Sequence, residues 1–319
     1  MTKNILLYGS DAGKIPYILK EAKKLQAEFG AKEVLALVVG NDEGAKKLEN
    51  SGVDKVISVS ADSSFPETVS AIIKEVMEKY EVGTLVMLNQ PFEVEVAGRV
   101  STKLEASCLT DCITVKKDSD GSYVAEKMLY GGVVIGNYKL TSSTVVVTLN
   151  ENSCREAYKS EENTVSIYCE ETIATKQLKK KLTQTREIEQ TVDLKSSRKI
   201  VSVGRGINKQ EDIALVEGLA NTIDAQLGCS RPIVEDFKWL KLERQVGLTG
   251  TVVAPDLYVA IGISGQIQHA VGIKDAKVIV AINNNKNAPI FDIADYGIVG
   301  DLYEVVPRLQ KALESVAVK

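Results

Sequence analysis

The sequence has 319 residues, 44% hydrophobic and 26% charged, which is typical of globular proteins and excludes long disordered tracts. Lys and Arg total 39 against 43 Asp and Glu, so no cationic field favours nucleic acid or anionic membranes. One histidine and five scattered cysteines without a C-x-x-C pair argue against a zinc site and indicate free thiols in a reducing compartment. The sequence predicts about two domains, no signal peptide and no membrane span, and hence a cytoplasmic protein.

The first half of the chain alternates short apolar runs with longer mixed stretches. Strands are predicted at 5–8, 34–39, 56–59 and 84–88, and helices at 15–29, 45–51 and 70–79. This alternation predicts a parallel sheet with helices on both faces. After residue 112 the pattern changes, and antiparallel edge strands are predicted at 113–115, 123–125 and 144–149.

A polar, lysine-rich stretch divides the sequence. Residues 175–186 carry neither glycine nor a sustained apolar face, so we interpret them as a connector and place the domain boundary between residues 190 and 191. A second series of predicted elements follows, with strands at 199–203, 257–263 and 277–282 and helices at 210–227, 264–271 and 302–316. The second half is therefore also predicted to be an α/β domain.

Two glycine-containing loops begin like nucleotide-binding motifs and do not complete them. Gly9-Ser-Asp-Ala-Gly13-Lys14 has one residue too few between its glycines for a phosphate loop, and Ile15 follows where Ser or Thr should meet magnesium. Gly204-Arg-Gly206 begins like a dinucleotide fingerprint, but Lys209 takes the place of the third glycine. Neither loop predicts a nucleotide site by itself.

Glycines and polar residues collect at the predicted carboxyl ends of strands in the second half. In open α/β sheets this edge is where ligands bind. We interpret Ser264 as a helix N-cap, so that the amides after it would bind a phosphate or pyrophosphate. His269 would lie one turn into the same helix, near the ligand, and a hydrogen-bonded core histidine is the alternative. The cluster comprises residues 204–206, 230–231, 262–265 and 283.

Five sequence blocks in the second half resemble the electron-transfer flavoprotein alpha subunit. They read GCSR at 228–231, QVGLTG at 245–250, VAPDLY at 253–258, GISGQIQH at 262–269 and ADYGIVGDL at 294–302. The resemblance implies an α/β protein of two domains. Residues 1–190 would form an adenine-nucleotide-hydrolase-like αβ sheet domain that contacts a beta subunit. Residues 191–319 would form a Rossmann-like (DHS-like) FAD-binding domain with a parallel sheet.

The same resemblance implies an electron carrier that uses FAD and pairs with a beta subunit, rather than an enzyme. Its donors would be flavin dehydrogenases, such as the acyl-CoA dehydrogenases of fatty acid beta-oxidation, and its acceptor a quinone reductase or another protein. A place in an electron-bifurcating complex stays open. The alternatives are an NAD(P)-binding oxidoreductase or transhydrogenase subunit on a similar fold, and a nucleotide-binding sensor built on the N-terminal domain.

Carried over position by position, the resemblance implies residues that tune the flavin ring. Thr249 would bond the N5 edge of the flavin, and His269 would place a donor or a cation near the flavin O2. Arg231 would lie beside the ring, where a permanent charge favours an anionic flavin; a surface salt bridge is the alternative. No catalytic or metal-binding residue is implied.

Other positions are implied to bind the rest of FAD. Arg205 and Ser264 would lie near the phosphates, and Asn283 and Asp301 on the adenosine side. Asp301 is equally explained as the N-cap of the following helix. The remaining predicted cofactor-binding residues are Ser230, Val246, Gly247, Leu248, Gly265, Gln266, Ile267, Gln268 and Leu302.

Overall fold

The computed structural model describes residues 3–40, 42–48, 50–132, 134–154, 156–159, 167–173, 180–185 and 192–317. The chain divides into two compact units, Met1–Thr185 and Arg186–Lys319. The boundary predicted between residues 190 and 191 lies outside the described residues. Each unit contains its own β-sheet with helices, so the predicted α/β fold is confirmed.

In its described residues, the N-terminal unit contains a sheet of nine strands. They are β1 (Asn4–Tyr8), β2 (Val34–Val39), β3 (Lys55–Val59), β4 (Val82–Leu88), β5 (Ser107–Lys117), β6 (Tyr123–Leu129), β7 (Val134–Leu140), β8 (Val145–Leu149) and β9 (Ile167–Glu171). Their order across the sheet is β7-β6-β5-β8-β4-β1-β2-β3-β9. The pairs β5–β6 and β6–β7 are antiparallel, and the other neighbours are parallel.

Helices cover both faces of this sheet. They are α1 (Ile15–Phe29), α2 (Asp42–Lys46), α3 (Pro66–Lys79) and α4 (Pro91–Leu104). In β1, Ile5 and Leu7 pack into the core that contains α1 and α2, whereas Leu6 and Tyr8 pack into the core that contains α3 and α4. A strand buried on both faces needs a continuous apolar run, which explains why β1 to β4 are recognisable in the sequence.

The prediction of an antiparallel edge strand at 144–149 is wrong. Strand β8 lies between β4 and β5 and is parallel to both. All of its residues, Val145–Leu149, are buried. The sequence VVVTL is the nearly continuous apolar run of a central parallel strand, and its position after two antiparallel strands concealed that role.

In its described residues, the C-terminal unit contains a sheet of five parallel strands. They are β10 (Lys199–Val203), β11 (Gln226–Cys229), β12 (Leu257–Ile261), β13 (Ile279–Asn283) and β14 (Tyr296–Val299). Their order is β11-β10-β12-β13-β14. This is the order of a doubly wound sheet, in which the winding reverses between β10 and β12. Ligands of such sheets bind outside the carboxyl ends of the strands at that point.

The helices of the C-terminal unit are α5 (Ile213–Thr222), α6 (Arg231–Glu235), α7 (Ile267–Ala270) and α8 (Leu302–Ala317). Two are shorter than predicted. The chain leaves α5 through Asp224, which has a φ of 53°, and Leu227 lies in β11 instead of the helix. The predicted helix 264–271 begins only at Ile267, because Gly265, with a φ of 80°, turns the backbone before it.

The sheet of the C-terminal unit separates two apolar cores. Helices α5 and α8 cover one face through Val216, Leu219 and Val306. On the other face, Tyr258 packs with Ile290 and other buried residues. Among the described residues, no helix has both the length and the hydropathy needed to cross a membrane.

The loops after β10 and β12 meet through glycines. The amide of Gly204 donates to Ile261 O and that of Gly206 to Gly262 O, both over 2.9 Å. A Cβ atom would lie 2.4 Å from Gly262 O if placed on Gly204, and 2.6 Å from Gly262 Cα if placed on Gly206. Both distances are shorter than van der Waals contact, so only glycine allows this approach.

Replacing Gly206 with alanine tests that requirement. We expect Gly206→Ala to lower the free energy of unfolding of the C-terminal unit by about 1–3 kcal/mol, because the added methyl group overpacks a backbone contact. The control is Gly218→Ala in α5, where a Cβ meets only the end of the Gln310 side chain at 3.4 Å. This change should stabilise by about 0.5–1 kcal/mol.

Denaturant unfolding followed by the fluorescence of Trp239 measures both variants, because this residue is the only tryptophan of the chain and packs against the core of the C-terminal unit. Equal stabilities of the two variants would contradict the steric requirement at Gly206.

Candidate functional site

A cavity of about 580 Å³ opens where the winding of the C-terminal sheet reverses. Loops that follow β10, β11, β12 and β13 contribute to its walls. Its volume falls in the range of about 300–1,000 Å³ that is usual for cofactor sites. The residues that line it are Arg205, Gly206, Ser230, Arg231, Pro232, Asp236, Val246, Gly247, Leu248, Thr249, Gly262, Ile263, Ser264, Gln266, Gln268, His269, Asn283 and Asn284.

Most of the residues predicted from the sequence line this cavity, and four do not. Gly265 is enclosed, since a Cβ there would lie 2.3 Å from Ile290 N. Leu302 is buried and packs towards Gly262, and Ile267 is exposed. Asp301 Oδ1 accepts from the Tyr303 amide over 2.9 Å, which is the capping role given above as the alternative. These four residues therefore do not form part of the cavity wall.

The cavity also contains residues to which the resemblance assigned no role. Gly206 and Gly262 lie in the loops after β10 and β12 and belong to the cluster of glycines and polar residues that the sequence predicted. Pro232, Ile263 and Asn284 are direct neighbours of predicted residues. Asp236 follows α6 in a segment without a motif, and the sequence offers no signal for it.

Two arginines give one part of the wall a positive charge. Arg205 is exposed and follows directly after the Gly204 turn. The Arg231 side chain is 59% exposed, and its Nε donates to Glu235 Oε2 over 2.6 Å. This surface ion pair is the alternative considered for Arg231, and the same side chain also lines the cavity. Exposed pairs of this kind contribute about 0–1 kcal/mol, so an anionic ligand can compete for the guanidinium.

The loop 245–251 is held by backbone hydrogen bonds. The Val246 amide donates to Cys229 O over 2.8 Å, and the Leu248 amide donates to Gln268 O over 2.7 Å. Fully buried Gln245 donates through Nε2 to Thr249 Oγ1 over 3.0 Å. This bond occupies a lone pair of the Thr249 oxygen and leaves its hydrogen available to an acceptor. Gln245 is therefore a supporting residue that the sequence interpretation missed.

Ser264 and Asn283 stabilise the loops around the cavity. The interpretation of Ser264 as a helix N-cap is wrong, because α7 begins at Ile267 and its N-cap residue is Gln266. The Ser264 carbonyl instead accepts from the Ile290 amide over 3.0 Å. Asn283 donates through Nδ2 to Ile263 O and accepts at Oδ1 from the Asn285 amide, both over 2.9 Å. The Asn283 side chain thus joins the loops after β12 and β13.

His269 lies in α7 with a side chain that is almost completely buried. Its Nε2 lies 2.9 Å from the hydroxyl of Tyr258, and its Nδ1 is buried without a hydrogen-bond partner among the described residues. Burial lowers the pKa of His269 to about 4, and the Val246 backbone acts in the opposite direction. Burial also raises the pKa of Tyr258. Both side chains are therefore neutral at pH 7.

Comparisons with known proteins extend over both units. Residues 193–274 match the model of the electron transfer flavoprotein FAD-binding domain, and residues 16–171 match that of the electron transfer flavoprotein domain. The chain is 34% identical over 313 residues to Protein FixB of Escherichia coli O7:K1, and equally to those of E. coli O157:H7 and Shigella flexneri. Each alignment covers 97% of this chain and 97% of the relative.

Among solved structures, MurG of Acinetobacter baumannii aligns with 99% of this chain and 93% of its own, at 12% identity. The TM-score of 0.33 is too low to establish a common fold.

The identity to the FixB proteins extends along nearly the whole chain, and each of the two family models matches residues of one unit. Proteins of this kind carry electrons rather than convert a substrate of their own. The C-terminal unit, with the cavity at its sheet edge, contains the FAD-binding domain. The chain belongs to the electron-transfer flavoprotein alpha-subunit family.

Proposed function

We propose that this chain is the alpha subunit of a heterodimeric electron carrier that holds one FAD in the 580 Å³ cavity. Its donors are flavin dehydrogenases such as acyl-CoA dehydrogenases, which places it in fatty acid beta-oxidation, and its acceptor is a quinone reductase or another redox protein. The observation that supports this most directly is the cavity itself, which lies at the reversal point of an FAD-binding domain and is lined by most of the residues predicted from the sequence.

The residues of the cavity fit FAD. Gly206 and Gly262 pack against each other and also line the cavity, so this part of the wall is backbone. The buried Nδ1 of His269 has no partner among the described residues, and buried polar atoms are rarely left unpaired. A flavin offers carbonyl and ring-nitrogen acceptors for such a donor. When bound, FAD supplies the electron transfer itself, which no side chain of this chain provides.

Arg205 complements the charge of the diphosphate. Arg205 follows Gly204, whose loop is fixed by the contact with Gly262, so its guanidinium is presented from a defined backbone. Guanidinium groups bind phosphate through charge-assisted hydrogen bonds, which are roughly twice as strong as neutral ones.

Thr249 and His269 provide neutral donors. The hydrogen of the Thr249 hydroxyl is not used in its bond with Gln245. Of the two roles expected for His269, a donor or a cation, the lowered pKa of His269 supports the donor. A neutral donor stabilises negative charge on the flavin less than a cation does, so the permanent charge near the ring is left to Arg231.

The role that we propose for the N-terminal unit is to bind the beta subunit. Members of this family pair with a beta subunit, and we propose that it docks on the region around β7. Tyr130, Val134 and Ile135 are exposed there by 82%, 45% and 56% at an edge of the nine-stranded sheet. An exposed cluster of large apolar side chains at a sheet edge is a common protein-binding surface.

A cytoplasmic location is part of the same proposal. All five cysteines are free thiols, as is usual in a reducing compartment. A role in electron bifurcation depends on the redox group that the beta subunit carries, and we propose the plain carrier, which needs no redox group other than the FAD of this cavity.

The cofactor assignment is tested by purifying the chain with its partner and recording the visible absorption spectrum. We expect flavin bands at a stoichiometric level. When FAD is removed and added back, Arg205→Ala should bind it at least about tenfold more weakly than the wild type, which corresponds to the loss of one charge-assisted hydrogen bond. The control is Arg308→Ala, which removes an exposed arginine of the same unit that pairs with Glu304 at 3.8 Å. Binding of NAD(P)H in place of FAD would favour the oxidoreductase alternative.

A second test concerns the neutral state of His269. Its folded pKa of about 4 lies below the unfolded value of about 6.5, so the unfolded chain binds the proton first and stability falls as pH decreases through this window. Between pH 7 and pH 5, the wild type should lose roughly 2 kcal/mol more of unfolding free energy than His269→Gln. Identical losses in both proteins, followed by Trp239 fluorescence, would show that His269 is not buried in the neutral form.

The proposed docking surface is tested by co-expression with the beta subunit. We expect Ile135→Asp to abolish co-purification, because a carboxylate would have to be buried at the interface. The control is Tyr17→Asp, a similarly non-conservative change at an exposed position of α1. Retention of the beta subunit by Ile135→Asp would exclude β7 as the docking site.

A further inference from the structure

Behind the cavity, two polar rings are paired within the apolar core. Tyr258 lies in β12 with its side chain completely buried, and His269 lies in α7 on the same side of the sheet. The Tyr258 hydroxyl is 2.9 Å from His269 Nε2, and the ring centroids are 6.0 Å apart. A buried hydrogen bond between a strand and a four-residue helix fixes the orientation of the imidazole towards the cavity.

A neutral imidazole carries one N–H group and one lone pair. Which nitrogen holds the hydrogen decides whether His269 offers the cavity a donor or an acceptor. Because Nε2 is bonded to Tyr258, the choice depends on the direction of that single hydrogen bond. If the phenol donates to Nε2, the hydrogen of the imidazole lies on Nδ1. If Nε2 donates to the phenol, Nδ1 is an acceptor.

The surroundings of Tyr258 favour donation by the phenol. If Nε2 donated instead, the phenol hydrogen would need another acceptor inside the core, and an unpaired buried donor costs about 1–3 kcal/mol. Ser202 is near Tyr258, but its Oγ makes no hydrogen bond among the described residues. Among the described residues, His269 Nε2 is therefore the partner whose distance to the phenol is that of a hydrogen bond.

We propose that Tyr258 is a positioning residue that holds His269 in the Nδ1–H form, so that the cavity meets a neutral donor. Within the pair, Nδ1 makes no hydrogen bond that the geometry of the described residues shows, and His269 lines the cavity, so we infer that a bound ligand is the acceptor for Nδ1–H. The ligand group is an acceptor oxygen or nitrogen, and its identity as part of a flavin rests on the proposed function. Tyr258 itself does not line the cavity.

The single histidine of the chain makes this inference directly measurable. The full chain is produced with ¹⁵N-labelled histidine, and the two imidazole nitrogens are observed by NMR at pH 7 without FAD. We expect a protonated, pyrrole-type Nδ1 and an unprotonated, pyridine-type Nε2 in the wild type. In Tyr258→Phe, which removes only the hydroxyl, the two nitrogens should move towards the averaged shifts of exchanging tautomers.

The control is Tyr8→Phe, which removes a phenol hydroxyl of a buried side chain in the N-terminal unit. It should leave both imidazole nitrogens at their wild-type shifts, so a general effect of losing a buried hydroxyl is separated from the loss of the bond to Nε2. A protonated Nε2 in the wild type, or unchanged shifts in Tyr258→Phe, would overturn the proposal. If Tyr258→Phe does not fold, the wild-type spectrum alone still shows which imidazole nitrogen carries the hydrogen.

FAD binding is measured separately on the same proteins. We expect Tyr258→Phe to bind FAD about two- to tenfold more weakly than the wild type, the loss of one neutral hydrogen bond in its preferred geometry. Unaltered FAD binding by Tyr258→Phe would overturn the inferred link to the ligand. If none of the proteins binds FAD while the NMR shifts change as expected, the proposed function fails and the positioning role of Tyr258 stands.

Discussion

The backbone contact between the loops after β10 and β12 is the constraint on which the site depends. Gly204 and Gly206 approach Gly262 so closely that no side chain fits between them, and the amides of Gly204 and Gly206 donate hydrogen bonds to Ile261 O and Gly262 O across the gap. This contact closes the sheet edge at the point where the winding reverses. The arginine between the two glycines is consequently held at the rim, and the space beside it is kept free for a ligand.

Charge and polarity are separated across the cavity. Its permanent charges, from Arg205, Arg231 and Asp236, are on exposed side chains, where water screens them until a ligand displaces it. Its buried polar group, His269, is neutral and depends on one hydrogen bond to Tyr258. A site of this kind recognises an anion at its mouth and a neutral heterocycle in its depth. FAD combines both features in one molecule.

Strands β1 to β4 could be predicted because each is a local apolar run of the sequence. The ligand-binding edge of the C-terminal sheet could be predicted because polar residues and glycines follow its strands. The sequence could not predict where β8 inserts, since pairing between distant strands leaves no local signal. Ser264 shows the same limit at the site. Its type and position are those of an N-cap, but the positive φ of Gly265 delays the helix. The capping of α8 by Asp301 was predicted from its position before the helix, whereas the pairing of Tyr258 with His269 became visible only in three dimensions.

The late position of β8 in the chain has a consequence for synthesis on the ribosome. Strands β4 and β5 both need β8 as their neighbour, yet more than fifty residues separate the end of β4 at Leu88 from Val145. Until β8 leaves the ribosome, two central strand edges stay unpaired while the β5–β6–β7 meander can already form. Unpaired edges recruit other chains. Slow translation before residue 145 would therefore prolong the interval in which the nascent N-terminal unit is prone to aggregate and binds chaperones.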